Sequence, residues 1–413
     1  MNLPRRLYRS DDGDVHILFL NEYYPPDTSA TAKVAALFVE ALAIRHRVTV
    51  VAGRPSYDPT EFYGWRLLRR ETRGNVTIER VGSSAYPRFQ MRRRVCNYLS
   101  YSLLGALRAL TIRADIVFCM TDPPFAGLIG ALVAKLTRRP FVYNIQDLYP
   151  EMAVGGNIVR PSRWVRGWER MHRRALKSAR RMIVIGDDMR DRITAKGVDP
   201  ARVAVVRAGV RLGADPTEPG HPVEREIRSG FRFVALHAGN LGFYGAWDTL
   251  LEAGRHLGDD GVGIVFVGDG AEKGRLVAAA TGELSAVRFL PFRPANEVPY
   301  VLAAGDIHII TVKRGLEGVI VPSKLYPILA AGKPVIALAT PGADVSRIVT
   351  RSGCGIVIDP DDSQGLARVL IELADRPEQV LEMGRRARAM APEYDQVKQL
   401  EHFIDVVEGA LAT

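Results

Sequence analysis

The sequence is poor in cysteine and contains no long apolar run. Its three cysteines, Cys96, Cys119 and Cys354, lie far apart among 413 residues. Their spacing fits neither a metal site nor a disulfide framework, so we expect reduced thiols of a cytosolic protein. No apolar run reaches the about 18 residues that cross a bilayer, and Met1 to Asp14 lacks the apolar stretch of a signal peptide. Any contact with a membrane is therefore expected to be peripheral.

Several common catalytic signatures are also missing. The eight histidines show no HExxH pattern, and neither a GxSxG nor a Walker A motif occurs. This argues against a zincin, an α/β-hydrolase and a P-loop NTPase. The net charge is +10 and the pI about 9.6, which favours anionic partners such as nucleotide phosphates or anionic lipid. No base-reading module is recognisable, so nucleic acid is not an expected partner.

Short apolar runs alternate with helical patterns along the whole chain. This alternation predicts an α/β fold with parallel sheets, and the pattern restarts at Phe231 after a stretch rich in Pro, Gly and charge. We therefore predict two doubly wound, Rossmann-like domains with a ligand in the cleft at the carboxyl ends of the strands. The predicted strands are 15–20, 47–51, 116–119, 140–145, 182–185, 231–237, 262–267, 307–311, 334–337 and 355–358.

The strongest local motif is Pro322-Ser323-Lys324, followed by a short apolar segment that ends at Gly332 and Pro334. Pro322 and Ser323 fit a helix start, and Gly332 and Pro334 fit its end. Backbone N–H groups and the Lys324 ammonium would then form an anion site. The alternative is an ordinary capped helix that leads into a strand.

Two glycine motifs follow predicted strands. Gly268-Asp269-Gly270, with Gly274, has the spacing GxGxxxG rather than the dinucleotide fingerprint, so a tight turn that opens a helix is the favoured interpretation. The segment Gly239-Asn240-Leu241-Gly242 lies at the end of a strand. Its glycines allow the backbone to approach a ligand closely, although a simple turn is the alternative.

The first half of the chain offers a polar loop and two carboxylates. Thr28-Ser29-Ala30 joins a strand to a helix and could bring N–H groups to a phosphate. Asp147 and Glu151 follow another strand, where either a catalytic group or a structural cap fits the pattern. The Asp359-Pro360-Asp361 motif could hold a metal, but a turn with a helix cap is favoured.

In their order and spacing, these segments resemble glycosyltransferase family 4, especially its WbuB-like branch, which builds bacterial surface polysaccharides. The resemblance runs over roughly residues 14–405. It rests on Pro25-Pro26-Asp27, Asp122-Pro123-Pro124, Gln146-Asp147-Leu148-Tyr149-Pro150-Glu151, Gly239-Asn240-Leu241-Gly242, Gly268-Asp269-Gly270, Ala304-Gly305-Asp306 and the block from Pro322 to Pro334.

The resemblance implies a GT-B fold and a retaining, metal-independent sugar transfer that needs no cofactor. It implies an acceptor-binding domain at 1–210, a linker at 211–230, a nucleotide-sugar-binding domain at 231–390 and a last helix within 391–413 that returns to the first domain. The expected donor is UDP-linked, with an amino sugar as a plausible cargo. The expected acceptor is lipid-linked through polyprenyl diphosphate, or another glycan, at the inner face of the plasma membrane.

The resemblance also suggests roles for particular residues. Asp147, Glu317 and Lys324 are the expected catalytic residues, and Thr28, Ser29 and Ala30 the expected phosphate loop on the acceptor side. The expected donor-binding residues are Gly239, Asn240, Leu241, Gly242, Gly268, Gly270, Phe292, Val319, Pro322, Ser323 and Lys324.

The chain departs from the family pattern in its donor motif. Two glutamates, eight positions apart in many members, are replaced here by Val319 and Pro327, and Glu317 lies two residues early. The usual Arg and Lys after the first donor-domain strand are Asn240 and Tyr244. The missing glutamates leave a catalytically idle binding subunit as one rival function, and a non-hydrolysing sugar-nucleotide epimerase, which shares the GT-B architecture, is the other.

Basic and aromatic residues suggest a docking face on the first domain. Trp164 and Trp168 lie in a stretch with eleven Lys/Arg against four Asp/Glu between residues 160 and 192. Together with Arg92, Arg93 and Arg94 they would suit an anionic membrane surface. A solvated basic helix is the alternative.

Overall fold

The computed structural model describes residues 15–56, 66–87, 90, 93–213, 220–258, 260–280 and 284–412. Within this part of the chain, the first half forms an eight-stranded sheet in the order β3-β4-β2-β1-β5-β6-β7-β8. All neighbouring strands pair in parallel except β3 and β4, which are antiparallel. The strands are β1 (His16–Leu20), β2 (Arg47–Ala52), β3 (Leu68–Arg73), β4 (Val76–Val81), β5 (Ile116–Cys119), β6 (Phe141–Ile145), β7 (Arg181–Val184) and β8 (Val203–Val205).

Helices cover both faces of this sheet, which is why its central strands are apolar along their length. The helices are α1 (Ala30–Leu42), α2 (Arg94–Leu110), α3 (Ala126–Thr137), α4 (Glu151–Gly155), α5 (Arg163–Ser178) and α6 (Asp187–Ala195). Helices α2, α3 and α5 share one core with one side of the sheet, whereas α1 packs on the other side. Helix α3 lies between α2 and α5 and contacts both.

The second half forms a six-stranded sheet in the order β11-β10-β9-β12-β13-β14, with parallel pairing throughout. Its strands are β9 (Phe233–Ala238), β10 (Val262–Val267), β11 (Val287–Leu290), β12 (Ile307–Thr311), β13 (Val335–Leu338) and β14 (Gly355–Ile358). Its helices are α7 (Pro222–Arg228), α8 (Trp247–His256), α9 (Lys273–Ala280), α10 (Val298–Ala304), α11 (Leu325–Ala330), α12 (Asp344–Ser352), α13 (Ser363–Ala374) and α14 (Pro377–Met390).

The last helix, α15 (Gln396–Glu408), packs on the first sheet. Phe403 stacks on Phe38 of α1 with ring centroids 4.2 Å apart and meets Phe118 of β5 edge-on at 5.6 Å. Glu408 also accepts a hydrogen bond from Arg45 at 3.2 Å. The chain therefore crosses between the two halves a second time near its end.

The predicted α/β architecture with two parallel sheets is confirmed, but some elements were missed. Strand β3 consists mostly of charged residues at an exposed sheet edge, so it lacks the apolar run that marks a buried strand. Helix α7 lies inside the stretch interpreted as a linker. Its Val223 and Ile227 are buried in a core with residues of the second sheet.

Candidate active site

A cavity of about 1200 Å³ lies between the two sheets. Loops at the carboxyl ends of strands line it from both halves, as expected for doubly wound folds. The first half contributes Gln146 and Asp147 after β6 and the start of α1 at Ala30. The second half contributes Gly239, Asn240, Gly242, Phe243 and Tyr244 after β9, and the segment Ile320, Val321, Pro322, Ser323 and Lys324 before α11.

The Gly239–Gly242 loop is braced from behind by the turn after β10. Leu241 N–H donates to Asp269 O at 2.8 Å, and Gly239 N–H donates to Val267 O at 2.9 Å. A Cβ on Gly268 would lie 2.0 Å from Gly239 O, and one on Gly270 would lie 2.4 Å from Leu241 O. These two glycines were predicted to bind the donor, but neither lines the cavity. They allow close packing of the turn that positions the loop.

Lys324 points from the second half toward the same loop. Its Nζ lies 3.0 Å from His237 Nε2, while His237 Nδ1 lies 3.2 Å from Ile309 O. A neutral imidazole that donates from Nδ1 to Ile309 O leaves Nε2 to accept from Lys324. Burial lowers the pKa of Lys324 to about 7, and burial and Lys324 hold the pKa of His237 well below its usual range. A bound polyanion would restore the full charge of Lys324.

The environment of Lys324 differs from the predicted helix cap. Helix α11 spans only six residues, and its N-cap is Lys324 with no side-chain cap bond, rather than Ser323. Pro327 within this helix removes one backbone donor. The anion site therefore depends on the Lys324 side chain and the Gly239–Gly242 loop more than on a helix dipole.

Asp147 faces the cavity from the first half. Burial raises the pKa of Asp147 to about 7, and the neighbouring Asp122 adds to the effect. Burial raises the pKa of Asp122 as well, against a hydrogen bond from Thr31 and the charge of Arg94. The two carboxyl groups follow β6 and β5, which are adjacent in the sheet. The first half therefore brings the Asp147 carboxyl group, with its raised pKa, to the cleft.

The change Asp147→Asn is expected to raise the free energy of unfolding at pH 8 by up to about 4 kcal/mol. The pKa of Asp147 in the folded protein is about 7, above the about 3.9 of an unfolded chain. Its ionisation therefore opposes folding increasingly between these pH values, and asparagine removes that penalty. Chemical unfolding at pH 5 and pH 8 measures the difference, which should be larger at pH 8. A variant less stable than the wild type at pH 8 would contradict the assignment.

The sequence analysis did not identify the polar side chains of Glu22, Tyr23 and Arg94, which lie near Asp122. Arg94 donates from Nη2 to Tyr23 Oη at 2.7 Å, and burial, followed by Asp122, raises the pKa of Glu22 well above its usual range. Glu22 N–H donates to Asp122 O at 2.9 Å. The available signal was the position of Glu22 two residues after β1, which pairs with β5. Arg94, which was predicted to face a membrane, is instead turned inward.

Several predicted site residues lie away from the cavity lining. The Glu317 carboxylate accepts from Gly315 N at 2.9 Å and from Thr340 Oγ1 at 2.9 Å, and Glu317 does not line the cavity. Val319 is buried, and its carbonyl accepts from Leu148 N at 3.3 Å. Phe292 is 70% exposed outside the cavity lining. The geometry thus does not bring these three residues together with Lys324 and Asp147.

The loop 28–30 is only partly a cavity element. Ser29 is the N-cap of α1, and its hydroxyl accepts from Ala32 N at 3.1 Å. Its side chain is therefore committed to the helix. Thr28 is exposed and Ala30 lines the cavity. Of the proposed phosphate loop, only Ala30 faces the cleft.

Hydrogen bonds and ion pairs between the two halves set the shape of the cleft, and the sequence analysis did not predict them. Asp188 at the start of α6 accepts from Gly318 N at 3.0 Å and from Asp344 N at 2.9 Å. Arg207 bridges Asp187 at 2.7 Å and Asp344 at 2.8 Å. A Cβ on Gly318 would lie 2.4 Å from Asp188 O, so the two backbones need this glycine to meet.

No cluster of three or more metal-ligating side chains occurs among the described residues. The Asp359 and Asp361 carboxylates bind Arg314 at 2.6 and 2.8 Å. This pairing also keeps Arg314 at the surface. The pair agrees with a turn rather than a metal site.

Comparison with known proteins identifies relatives for both halves. Residues 29–209 match the model of a glycosyl transferase 4-like domain, and residues 232–376 match that of glycosyl transferases group 1. The probable glycosyltransferase WbjE of Pseudomonas aeruginosa is 28% identical over 268 residues, which cover 64% of this chain and 67% of that protein. The putative colanic acid biosynthesis glycosyl transferase WcaI of Escherichia coli strain K12 is 23% identical over 371 residues, which cover 85% of this chain and 90% of that protein.

A similar fold is found among solved structures. The crystal structure of Anabaena HepE in complex with UDP-glucose aligns with a TM-score of 0.67 at 18% identity, covering 96% of this chain and 100% of that one. WaaG, a glycosyltransferase involved in lipopolysaccharide biosynthesis, aligns with a TM-score of 0.64 at 19% identity, covering 95% and 100%. At these identities the likeness concerns the fold.

Proposed function

Since this chain belongs to glycosyltransferase family 4 and has the GT-B fold, we propose that it transfers a sugar from a UDP-linked donor to a lipid-linked acceptor with retention of configuration. The observation that carries the proposal is the cavity between the two sheets. Lys324 and the Gly239–Gly242 loop line it from one half, and Asp147 lines it from the other. This arrangement suits a phosphate leaving group on one side and a hydroxyl acceptor on the other.

The donor diphosphate is proposed to lie on the Gly239–Gly242 loop beside Lys324. A cation there stabilises the negative charge that develops on the leaving phosphate. A diphosphate also has enough charge to raise the lowered pKa of Lys324. The UDP-glucose complex of HepE supports a UDP-linked donor. That the transferred sugar is an amino sugar is a further part of the proposal.

The acceptor is proposed to enter along the first half, next to Asp147. The Asp147 carboxyl can orient an acceptor hydroxyl through a hydrogen bond in either protonation state. The names of WcaI and WaaG refer to colanic acid and lipopolysaccharide biosynthesis. These names support a role in making a surface polysaccharide on a lipid carrier at a membrane. No described helix is long and apolar enough to cross a bilayer, so the proposed association with that membrane is peripheral.

A second hypothesis, that the protein binds a nucleotide sugar without catalysis, draws on the donor motif. The position of one family glutamate is the buried Val319, and the carboxylate of Glu317 is held by Gly315 and Thr340. Lys324 is then the main charged group of the second half that faces the leaving phosphate. Turnover therefore separates the two hypotheses, because both require nucleotide binding.

UDP-sugars are expected to raise the melting temperature, whereas ADP- and GDP-sugars at equal concentration should have little effect. At a concentration one hundred times the Kd, binding stabilises a protein by about 2.7 kcal/mol, which corresponds to several degrees. A thermal-shift panel of nucleotide sugars measures this, followed by product analysis with and without a glycan acceptor. Conversion of the donor alone into another nucleotide sugar would indicate an epimerase. Failure of every nucleotide sugar to stabilise the protein would contradict both hypotheses.

A further inference from the structure

Helix α2 has an apolar stripe on its solvent side. Val95, Leu99, Leu103 and Leu107 follow one another at four-residue spacing and are 50–63% exposed. The opposite side of the helix, with Asn97, Tyr101, Gly105 and Ala109, is buried against the sheet. Single exposed leucines are common on protein surfaces, but an aligned row of four, about 18 Å long at 1.5 Å per residue, marks an interaction surface.

The neighbouring helices α3 and α5 continue this surface with leucines and cations. Leu132 and Leu136 of α3 are 51% and 60% exposed. A groove of about 720 Å³ between α3 and α5 has an apolar floor that includes Leu128 and Phe141. Its rim carries five cations, for which the described structure shows no carboxylate partner: Lys135, Arg138, Arg139, Arg174 and Arg180.

The same surface reaches the cleft end of the first half. Trp164 at the start of α5 is 58% exposed and packs on the buried Trp168 at 5.3 Å between ring centroids. Trp168 in turn stacks on Tyr149, two residues after Asp147, at 5.8 Å. The prediction that Trp168 lies on a docking face is therefore wrong, because Trp168 is buried and packs beneath the exposed Trp164. Arg92 lies outside the described residues.

We propose that the outer side of α2, α3 and α5 binds an anionic membrane surface. We name it the α2–α3–α5 face and define it by Val95, Leu99, Leu103, Leu107, Leu132, Leu136, Trp164 and the five groove cations. The leucines and Trp164 insert at the boundary of headgroups and acyl chains, and the cations bind lipid phosphates. The inference rests on the proposed function in one respect, which is that the membrane contact would hold the cleft end of the first half near a lipid-linked acceptor.

Charge complementarity favours lipid over a second copy of this chain. The groove cations have no acidic neighbours on the rim, and a partner with the same net charge of +10 would bring further cations toward them. Along α5, Arg166, Arg170, Arg173 and Lys177 are also exposed, with Glu169 already bound to Lys196 at 2.6 Å and to Arg173 at 3.3 Å. The lipid phosphates of an anionic membrane surface can pair with all of these cations together.

Vesicle sedimentation of the full chain tests the α2–α3–α5 face. The protein is expected to sediment with vesicles of phosphatidylglycerol and phosphatidylcholine at low salt and to be released by high salt. Leu103→Glu and the double change Arg138→Glu with Arg174→Glu should each lower partitioning by at least about tenfold. The matched controls on the second half are Leu381→Glu, where the leucine is 65% exposed, and Arg368→Glu with Arg376→Glu, which carry the same charge changes. These controls should bind nearly as well as the wild type.

A native thiol supplies a second measurement. Cys96 is exposed at the edge of the stripe, whereas Cys119 and Cys354 are buried. A polarity-sensitive fluorophore on Cys96 should shift to the blue with anionic vesicles and be quenched by spin-labelled lipid. Three results would each overturn the proposal. They are face variants that bind vesicles as well as the wild type, matched controls that lose as much vesicle binding as the face variants, and a Cys96 fluorophore whose emission does not shift with vesicles. A dimer in light scattering that Leu103→Glu dissociates would assign the stripe to a second copy instead.

The same samples separate this inference from the proposed function. Sedimentation needs no substrate, and donor binding is followed by the thermal shift of each variant with UDP-sugars. Face variants that bind donor normally but lose vesicles support the α2–α3–α5 face as a docking surface. Vesicle binding without any nucleotide binding would contradict the proposed transferase and leave the docking surface standing.

Discussion

Replacing Lys324 with alanine is expected to reduce turnover at least about tenfold and to leave the protein folded. Lys324 is the cation beside the Gly239–Gly242 loop, with Nζ 3.0 Å from His237 Nε2. An ammonium aimed at a departing phosphate stabilises charge that appears only as the bond breaks, so its loss lowers kcat more than it raises KM. Burial of the amine lowers its pKa to about 7, so its charge does not stabilise the folded state, and the loss of stability is limited to packing and the hydrogen bond to His237.

Lysine at position 313 supplies the matched control for this experiment. Lys313 is exposed in the same loop region and does not line the cavity, so Lys313→Ala should keep nearly full turnover. Equal losses in the two variants would indicate a general effect of charge. Unchanged turnover in Lys324→Ala would remove Lys324 from the site.

The pH dependence of binding tests the same side chain. At pH 8 most of the Lys324 amine is neutral in the free protein, because its pKa is about 7. A bound diphosphate raises that pKa, so binding takes up a proton and affinity falls as pH rises above 7. Calorimetry in buffers of different ionisation enthalpy measures the uptake, which should disappear in Lys324→Ala.

The change Gly268→Ala is expected to lower kcat/KM by at least about a hundredfold, since a displacement of about 1 Å at a reacting group has effects of this size. The new Cβ would lie 2.0 Å from Gly239 O, a distance that the backbone cannot accept without moving. Gly239 itself lines the cavity, so the displacement reaches the proposed donor site directly. Overpacking of this kind also costs about 1–3 kcal/mol of stability. Steady-state kinetics and chemical unfolding measure the two effects, and calorimetry measures donor affinity.

Gly274, the third glycine of the same motif, is the natural control. A Cβ at Gly274 would meet no heavy atom within 4 Å, and the residue lies in helix α9. Gly274→Ala should therefore keep donor affinity and lose no stability, because alanine favours helix. If Gly268→Ala binds the donor as well as Gly274→Ala does, the Gly239–Gly242 loop is not the donor loop.

The sequence alone predicted the sheets and the order of the motifs along them. Strands β1, β9, β10 and β12 are apolar on both sides because helices cover both faces of a parallel sheet. This apolar pattern can be recognised from a few consecutive residues. Glycines directly after β9 and β10 likewise mark turns that need no side chain. These features depend on neighbouring residues, so the family and fold could be identified without coordinates.

The tertiary structure decided which polar groups share the cleft. Glu317 and Lys324 are seven positions apart, yet the Glu317 carboxylate is held by Thr340 while Lys324 reaches His237. Asp147 and Asp122 influence each other only because β6 lies beside β5. Such contacts follow from strand order and loop direction, which local spacing does not contain.

The orientation of α2 shows the same limit on the scale of a whole helix. Its leucines recur every four residues, a spacing that usually marks the buried side of a helix. In the structure the buried side is the other one, where Tyr101 Oη donates to Val51 O at 2.8 Å and Gly105 leaves room for the Tyr101 ring. The helix has two sides with the same period, and only packing against β2 and β4 selects the one that faces the core. The leucine row is consequently left on the surface, where we propose that it meets the membrane.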